Sequence, residues 1–256
     1  MAKKSRQCTR KKLNEGRKQK HQCKNPSADI YTLPTLSHLD TAYNSQRAYK
    51  RLEPKTPSQK RYISAIKNNC LTFGIGPAGT GKSYCAAAMA ADALESGRVE
   101  RIILTRPAVE AGEQLGFLPG ALDEKFAVYI EAFREILNER LGRGAVDYYL
   151  RHGRIVAAPL AFMRGKTFSQ DTFVILDEAQ NTSMSQMKMF LTRIGEDCKV
   201  VVNGDIEQSD IRGPNGLADA IKRLRGVPGV CIHQFEREDI VRSGLVRAVM
   251  DRYEVA

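Results

Sequence analysis

The residues best suited to chemistry in this sequence form a glycine-rich stretch with one lysine and one serine. The stretch has the spacing G-x-x-x-x-G-K-S and consists of Gly76, Pro77, Ala78, Gly79, Thr80, Gly81, Lys82 and Ser83. In such a loop backbone N–H groups turn towards phosphates, Lys82 reaches the β- and γ-phosphate oxygens, and Ser83 holds Mg²⁺. An apolar run precedes the stretch and a helical pattern follows it, as the motif requires. The spacing therefore predicts a site for a nucleoside triphosphate.

Two carboxylates follow a later apolar run. Asp177 and Glu178 come directly after residues 173–176, and parallel strands deliver such residues to the edge of the sheet where ligands bind. We expect Asp177 to hold Mg²⁺ through water. Glu178, one residue further on, is placed to orient or deprotonate the attacking water as a general base.

Polar side chains at two other points complete the predicted site. Gln208 follows an apolar run within Gly-Asp-Ile-Glu-Gln, where an amide can sense the γ-phosphate and pass its presence or loss to neighbouring loops. Before the first strand, the amide of Gln59 can pair with adenine. The ring of Tyr62 can stack on the same base.

Strand-like and helix-like patterns alternate from Lys55 onward, which predicts an α/β fold with a mostly parallel sheet and helices on both faces. The short apolar runs predict strands at 71–75, 101–105, 154–157, 173–176, 199–202 and 230–235. The amphipathic stretches predict helices at 58–67, 82–95, 122–141, 185–194, 216–224 and 241–253.

The positive charge is concentrated in the first fifth of the chain. Through Glu53 there are 13 Lys and Arg against four Asp and Glu, which is a net +9 of the whole chain's +11. Residues 1–25 are nearly devoid of apolar side chains and are predicted to be a disordered basic tail. Residues 26–54 form a proline-punctuated linker, and residues 55–256 form one domain. The tail is suited to contacts with the phosphates of a nucleic acid.

Two features bear on where the protein works. There is no run of about 18 apolar residues to cross a membrane and no apolar stretch of a secretory signal. The six cysteines are scattered without the spacing of a zinc site, which is typical of reduced thiols. These patterns predict a cytoplasmic protein with no membrane partner.

Taken together, the motifs resemble the PhoH-like family over roughly residues 56–253. The resemblance rests on TPSQ from Thr56, the phosphate loop, RPAVEAGEQLGFLPG from Arg106, MRGKTF from Met163, LDEAQN from Leu176, LTRIG from Leu191 and NGDIEQSDIRG from Asn203. It implies a single RecA-like phosphate-loop NTPase domain that binds ATP and Mg²⁺, with a core similar to superfamily 1 helicases and a link to RNA metabolism.

The resemblance also implies roles for particular residues. It implies adenine recognition at Gln59, water activation at Glu178 and γ-phosphate sensing at Gln208. It further suggests roles for three arginines in matching motifs, namely Arg164, Arg193 and Arg242. This sequence departs from the family pattern at two positions: Asn215 replaces the family's usual Ser, and Ser243 replaces the family's usual His. Some members carry an N-terminal nuclease domain, and the basic segment here is too short for one, so nuclease activity is not carried over.

A single lobe of this kind forms only half of a helicase-type cleft. Either the chain merely binds ATP and hydrolyses it slowly, or a neighbouring subunit completes the site and supplies the arginine finger. Oligomers built from head-to-tail contacts close into rings. We therefore expect a homo-oligomeric ring, and the resemblance implies that a hexamer is favoured.

Three functions stay open at this point. The first is an ATPase that binds RNA or single-stranded DNA, with a ring motor as one form of it. The second is an ATP-dependent switch that recruits a protein partner, for which a nuclease is a candidate, without motor activity. The third is a small-molecule kinase, which is disfavoured because the acids are arranged as Asp-Glu-Ala-Gln and no lid segment is evident.

Overall fold

The structure is a computed structural model that describes residues 52–107, 122–165, 167–211 and 213–241, with residues 244 and 252. For residues 122–130 it describes the backbone alone. The predicted tail at 1–25, nearly all of the linker at 26–54, and most of the predicted helix at 241–253 lie outside the described residues. The predicted division of the chain into tail, linker and domain stays a prediction.

The described ranges contain six strands and six α-helices, which alternate except that two helices precede the third strand and only a 3-10 turn separates the third strand from the fourth. The strands are β1 (Leu71–Ile75), β2 (Arg101–Arg106), β3 (Ile155–Pro159), β4 (Thr172–Leu176), β5 (Lys199–Gly204) and β6 (Val230–Gln234). The helices are α1 (Pro57–Asn68), α2 (Lys82–Glu95), α3 (Leu122–Leu141), α4 (Arg143–Arg151), α5 (Met184–Leu191) and α6 (Gly216–Leu224). Short 3-10 turns occur at Leu160–Met163, Ala179–Asn181 and Arg237–Asp239.

The strands form one sheet in the order β3-β2-β4-β5-β1-β6, and every pair in it is parallel. Strand β1 lies between β5 and β6, whereas β4 lies between β2 and β5. The phosphate loop after β1 and the acids after β4 therefore emerge at the same edge of the sheet, with only β5 between them. The predicted α/β fold is confirmed.

Helices cover both faces of the sheet, and side-chain alternation along each strand divides the core. Ile102 and Leu104 of β2 pack in a cluster with α1 to α4, whereas Ile103 packs in a second cluster with α5, α6 and the turn at Leu160–Met163. Such strands are buried on both faces, which explains why they read as continuous apolar runs. No helix in the described ranges combines the length and apolarity needed to span a bilayer.

Local sequence signals set the starts of the helices that flank the site. The Oγ1 of Thr56 caps α1 by accepting from the N–H of Gln59, and Pro57 occupies the first turn. Ser183 and Gln186 form a capping box at the start of α5. Asn215, the departure from the family's serine, caps α6 because its Oδ1 accepts from two backbone N–H groups. Either residue can perform this task.

Two differences from the predicted elements have clear causes. The helix predicted at 185–194 ends at Leu191, because Ile194 forms a parallel bridge with Phe168 instead of continuing the helix. Helix α4 was not among the predicted segments. It begins right after Gly142, whose φ of 88° separates α4 from α3.

Candidate nucleotide site

The phosphate loop connects β1 to the start of α2 and depends on glycine at two close approaches. Gly76 has a φ of 134°, and a Cβ there would collide with the carbonyl oxygen of Phe235. Gly81 has a φ of 88°, and a Cβ there would lie 2.6 Å from Nε2 of Gln59. Both positions exclude larger residues, so the glycine spacing reflects packing of the loop as well as room for phosphates.

Lys82 is buried inside its own loop. Its Nζ donates to the carbonyl oxygens of Gly76 at 2.5 Å and Pro77 at 2.7 Å. Burial lowers the pKa of this ammonium, while Asp205, Asp177 and Glu178 act in the opposite direction. A cation held by neutral carbonyls at the first residue of a helix is positioned to exchange them for phosphate oxygens.

Ser83 and Asp177 meet across the site. The Oγ of Ser83 donates to Oδ1 of Asp177 at 2.8 Å. Burial raises the pKa of Asp177 to about 6, while the Ser83 hydrogen bond, Arg106 and Lys82 lower it. A hydroxyl and a carboxylate oxygen at this separation are the hard oxygen ligands that Mg²⁺ prefers, so the pair fits the predicted metal.

Glu178 adopts a left-handed backbone conformation with a φ of 52°, which turns the chain directly after β4. Its Oε2 accepts from Nε2 of Gln180 at 2.6 Å. Its Oε1 lies 3.5 Å from Nη2 of Arg106, and the side chain is 37% exposed. Both carboxylate oxygens are thus engaged, and the group still reaches solvent.

A cavity of about 320 Å³ brings the predicted residues together. Its lining includes Lys82, Ser83, Asp177, Glu178 and Gln208. The predictions that these side chains share one site at the carboxyl edge of the sheet are consistent with this placement. The roles of the individual residues stay predictions.

Gln180 connects Glu178 to the loop that carries Gln208. While its Nε2 donates to Glu178, its Oε1 accepts from the N–H of Asp205 at 3.1 Å. The Oγ of Ser209 donates to the Gln180 carbonyl oxygen at 3.1 Å. Gln180 is buried and bonded to both segments. A displacement of the loop that carries Gln208 therefore shifts Glu178 as well, and the reverse.

A reciprocal pair of hydrogen bonds, the Asn181–Asp210 clasp, holds the far end of the same loop. Nδ2 of Asn181 donates to Oδ2 of Asp210 at 3.0 Å, and the N–H of Asp210 donates to Oδ1 of Asn181 at 2.9 Å. Gln208 lies between the clasp and Asp205, is exposed and lines the cavity. The loop is therefore tied down on both sides of Gln208.

The residues predicted to recognise adenine have different surroundings. Gln59 is buried, with Nε2 donating to the Thr80 carbonyl oxygen at 2.9 Å and Oε1 accepting from the N–H of Lys55 at 2.8 Å. Gln59 therefore supports the phosphate loop, and its contact with adenine stays a prediction. The predicted stacking of Tyr62 on a base is wrong. Tyr62 is fully buried, and its ring packs against those of His233 and Phe235.

Comparison with known proteins decides the family. The model of the family described as PhoH-like protein matches residues 51–254. The chain belongs to the PhoH-like protein family. A PhoH-like protein of Bacillus subtilis is 47% identical over 207 residues, covering 80% of this chain and 65% of that protein. Protein PhoH of Escherichia coli strain K12 is 47% identical over 203 residues, covering 78% of this chain and 57% of that protein.

The chain spans less than two thirds of the length of these PhoH-like relatives. Among solved structures, the UvsW helicase from bacteriophage T4 matches with a TM-score of 0.46 at 14% identity, over 78% of this chain and 67% of that one. The Pif1 helicase from Candida albicans matches with a TM-score of 0.41 at 13% identity, over 78% and 43%.

The arginines suggested by the PhoH-like motifs lie in different places. Arg164 is exposed in the turn after β3, at the edge that carries the cavity. Arg193 follows α5, and its carbonyl oxygen accepts from the N–H of Phe168, upstream of β4. That position is at the opposite, amino edge of the sheet, and Arg193 does not line the cavity. Arg242 lies outside the described residues.

Sequence reasoning missed three side chains of the site. Asp205 and Tyr84 line the cavity, and Arg106 pairs with Glu178. Tyr84 also lines a second cavity of about 520 Å³ that shares Gly79 and Gly81 with the first. The position of Tyr84 directly after the G-K-S triplet was the available signal for its proximity to a nucleotide.

Proposed function

We propose that this PhoH-like chain binds ATP with Mg²⁺ and hydrolyses it, in a cycle linked to RNA or single-stranded DNA. The observation that carries the proposal is the single cavity in which Lys82, Ser83, Asp177, Glu178 and Gln208 converge. The nucleotide-binding part is supported by the family and by the phosphate loop between β1 and α2. The nucleic-acid link is supported by the net charge of +11, most of which lies before Glu53.

The geometry suggests a division of labour for hydrolysis. The N–H groups of the phosphate loop and Lys82 bind and orient the phosphates. Mg²⁺, held by Ser83 and Asp177, would neutralise charge on phosphate oxygens. Glu178 accepts the proton of the attacking water at Oε1, because Gln180 holds Oε2 at 2.6 Å whereas Arg106 contacts Oε1 at the longer distance of 3.5 Å. Gln208 contacts the γ-phosphate, and Gln180 transmits that contact to Glu178.

An oligomer would complete the site. Lys82 is placed to contact the phosphates. Arg193 lies at the amino edge of the sheet, opposite the cavity, and cannot act within its own subunit. We propose that an arginine of the next subunit approaches the γ-phosphate in a ring, with six subunits favoured. The cleft beside the phosphate loop has about 690 Å³ of space. Its charged lining consists of four acids and one arginine, which leaves it net negative and suited to guiding a cation: Asp205, Glu207, Glu236, Glu238 and Arg237.

The test is an ATPase assay with and without single-stranded RNA and single-stranded DNA at fixed salt and protein concentration. Stimulation by either polymer supports the nucleic-acid-linked ATPase. Hydrolysis that neither polymer changes favours the alternative, a switch that recruits a protein partner such as a nuclease. Transfer of the phosphoryl group to a metabolite instead of water would identify a kinase and contradict the proposal.

Deletion of residues 1–25 should weaken nucleic-acid binding at low salt and leave basal ATPase nearly unchanged. The segment carries ten of the 40 Lys and Arg residues, and each lost phosphate contact reduces the dependence of log K on log salt by about 0.7 to 0.9. Binding measured by fluorescence anisotropy between 50 and 200 mM salt, roughly the range over which such contacts act, checks this. An unchanged salt slope would place binding in the domain instead of the tail.

Breaking the Asn181–Asp210 clasp should lower kcat and leave nucleotide affinity nearly unchanged, since neither side chain lines the cavity. Asn181→Asp places two carboxylates face to face, and we expect kcat to fall about threefold to tenfold. The double variant N181D/D210N exchanges donor and acceptor in the side-chain hydrogen bond and keeps the one donated by the backbone N–H of residue 210, so it should recover most of the loss. If the double variant is no better than N181D, the clasp does not position Gln208.

A further inference from the structure

The end of strand β2 places an arginine on the catalytic carboxylate. Arg106 is the last residue of β2, and its Nη2 lies 3.5 Å from Oε1 of Glu178. This is the oxygen that Gln180 does not hold. The side chain of Arg106 is 33% exposed, so an anion in solvent can reach the guanidinium while it contacts Glu178.

The neighbouring strand supplies an exposed aromatic ring and a second arginine at the same edge. Arg106 pairs in register with Pro159, the last residue of β3. The chain then turns through Leu160–Met163, in which Leu160 and Met163 are buried. Phe162 points away from that core and is 47% exposed.

Arg164 follows this turn and is exposed. The next residue, Gly165, has open space around it, since a Cβ there would meet nothing within 4 Å. We call Arg106, Phe162 and Arg164 the carboxyl-edge patch. It combines two cations with an aromatic ring that is too exposed to be explained by packing in the core.

We propose that the carboxyl-edge patch binds a single-stranded nucleic acid, and that a phosphate of the strand draws Arg106 away from Glu178. The inference rests on the proposed ATPase function and names the surface and the contact by which nucleic acid would regulate it. Phosphate oxygens compete well for a guanidinium because they accept paired, charge-assisted hydrogen bonds. An exposed ring can stack on an unpaired base, whereas the bases of a duplex are already stacked on one another.

The contact with Arg106 restrains Glu178 in the absence of nucleic acid. The contact occupies Oε1, the oxygen that must face the attacking water. Binding of a strand therefore releases the base, and hydrolysis rises. Arg106 is in this account a positioning residue that acts through Glu178.

The first test is Arg106→Gln in the full chain. Basal ATPase should rise several-fold, because the restraint on Glu178 is gone. The ratio of the ATPase rate with a single-stranded RNA 20-mer to the rate without it should fall close to one. Arg106→Lys keeps the charge and should stay near the parent in basal activity. Arg101→Gln, an exposed arginine at the other end of the same strand, is the matched control and should change neither value.

The second test removes the other members of the patch. Phe162→Ala should leave basal ATPase unchanged and raise the RNA concentration for half-maximal stimulation by about fivefold or more. Arg164→Ala, which also removes a candidate finger, is tested by direct binding of the same RNA, and its half-saturating RNA concentration should rise by about as much. Single-stranded DNA should act in the same way as RNA through the shared phosphates and bases, and duplex RNA should stimulate less than either. Thermal unfolding of each variant checks that it is folded.

The outcomes separate the inference from the proposed function. Basal activity of Arg106→Gln equal to or below that of the parent would overturn the restraint of Glu178. Unchanged RNA dependence in Phe162→Ala and Arg164→Ala would overturn the patch as the binding surface. Absence of hydrolysis in the folded parent protein would instead overturn the proposed function itself.

Discussion

Glu178→Gln should still bind ATP nearly as tightly as the parent and hydrolyse it about 10² to 10⁴ times more slowly. The substitution keeps the shape of the side chain but removes the acceptor for the proton of the attacking water. Ground-state affinity depends on the phosphate loop and Lys82, so it changes little. Equilibrium binding of a fluorescent ATP analogue, together with single-turnover release of phosphate, measures both quantities.

A second carboxylate-to-amide change serves as the control for this result. Glu135 is exposed on α3 and lies outside the cavity that contains Glu178. Glu135→Gln should therefore hydrolyse ATP at close to the parental rate. Parental activity in Glu178→Gln would show that Glu178 is not the catalytic base.

Loss of the arginine finger should lower kcat by about 10³ to 10⁵, because this cation meets the charge that develops on the γ-phosphate. The candidates are Arg242, which we favour because it follows the last strand, and Arg193 and Arg164. If the finger acts between subunits, activity per subunit should rise with protein concentration as rings assemble. An equal mixture of Arg242→Ala and Lys82→Ala subunits should then recover activity that neither variant has alone.

Recovery in the mixture has a simple cause. Some interfaces pair an intact phosphate loop on one subunit with an intact finger on its neighbour. A mixture that stays inactive removes Arg242 from the candidates, and the same experiment with Arg193→Ala or Arg164→Ala then tests the others. Activity that does not depend on concentration, from a protein shown to be monomeric by sedimentation, would contradict the ring.

The sequence predicted the elements of the fold well because strong local signals coincide there. Strand β1 and helix α2 have the predicted bounds, since an apolar run, the glycine spacing and an alanine-rich helix leave little freedom between them. The residues at the ends of β1, β4 and β5 could be placed in one site for a related reason. In a parallel sheet, carboxyl ends share an edge.

Side-chain partners were harder to predict because they depend on how elements pack. Tyr62 was interpreted as a stacking residue, yet α1 packs so that its ring is enclosed by His233 and Phe235 and its hydroxyl donates to Asn203. The contact of Arg106 with Glu178 depends on β2 lying next to β4. No spacing along the chain encodes that adjacency.

The measurement that tests the central claim most directly is release of phosphate from ATP by the purified full chain, with Mg²⁺ and with excess EDTA. Lys82→Ala, prepared in parallel, reports any contaminating ATPase, because it lacks the cation at the β- and γ-phosphates. We predict Mg²⁺-dependent hydrolysis by the parent, which EDTA abolishes and Lys82→Ala does not show. Equal phosphate release by the parent and by a folded Lys82→Ala would contradict the assignment of this cavity as an ATPase site.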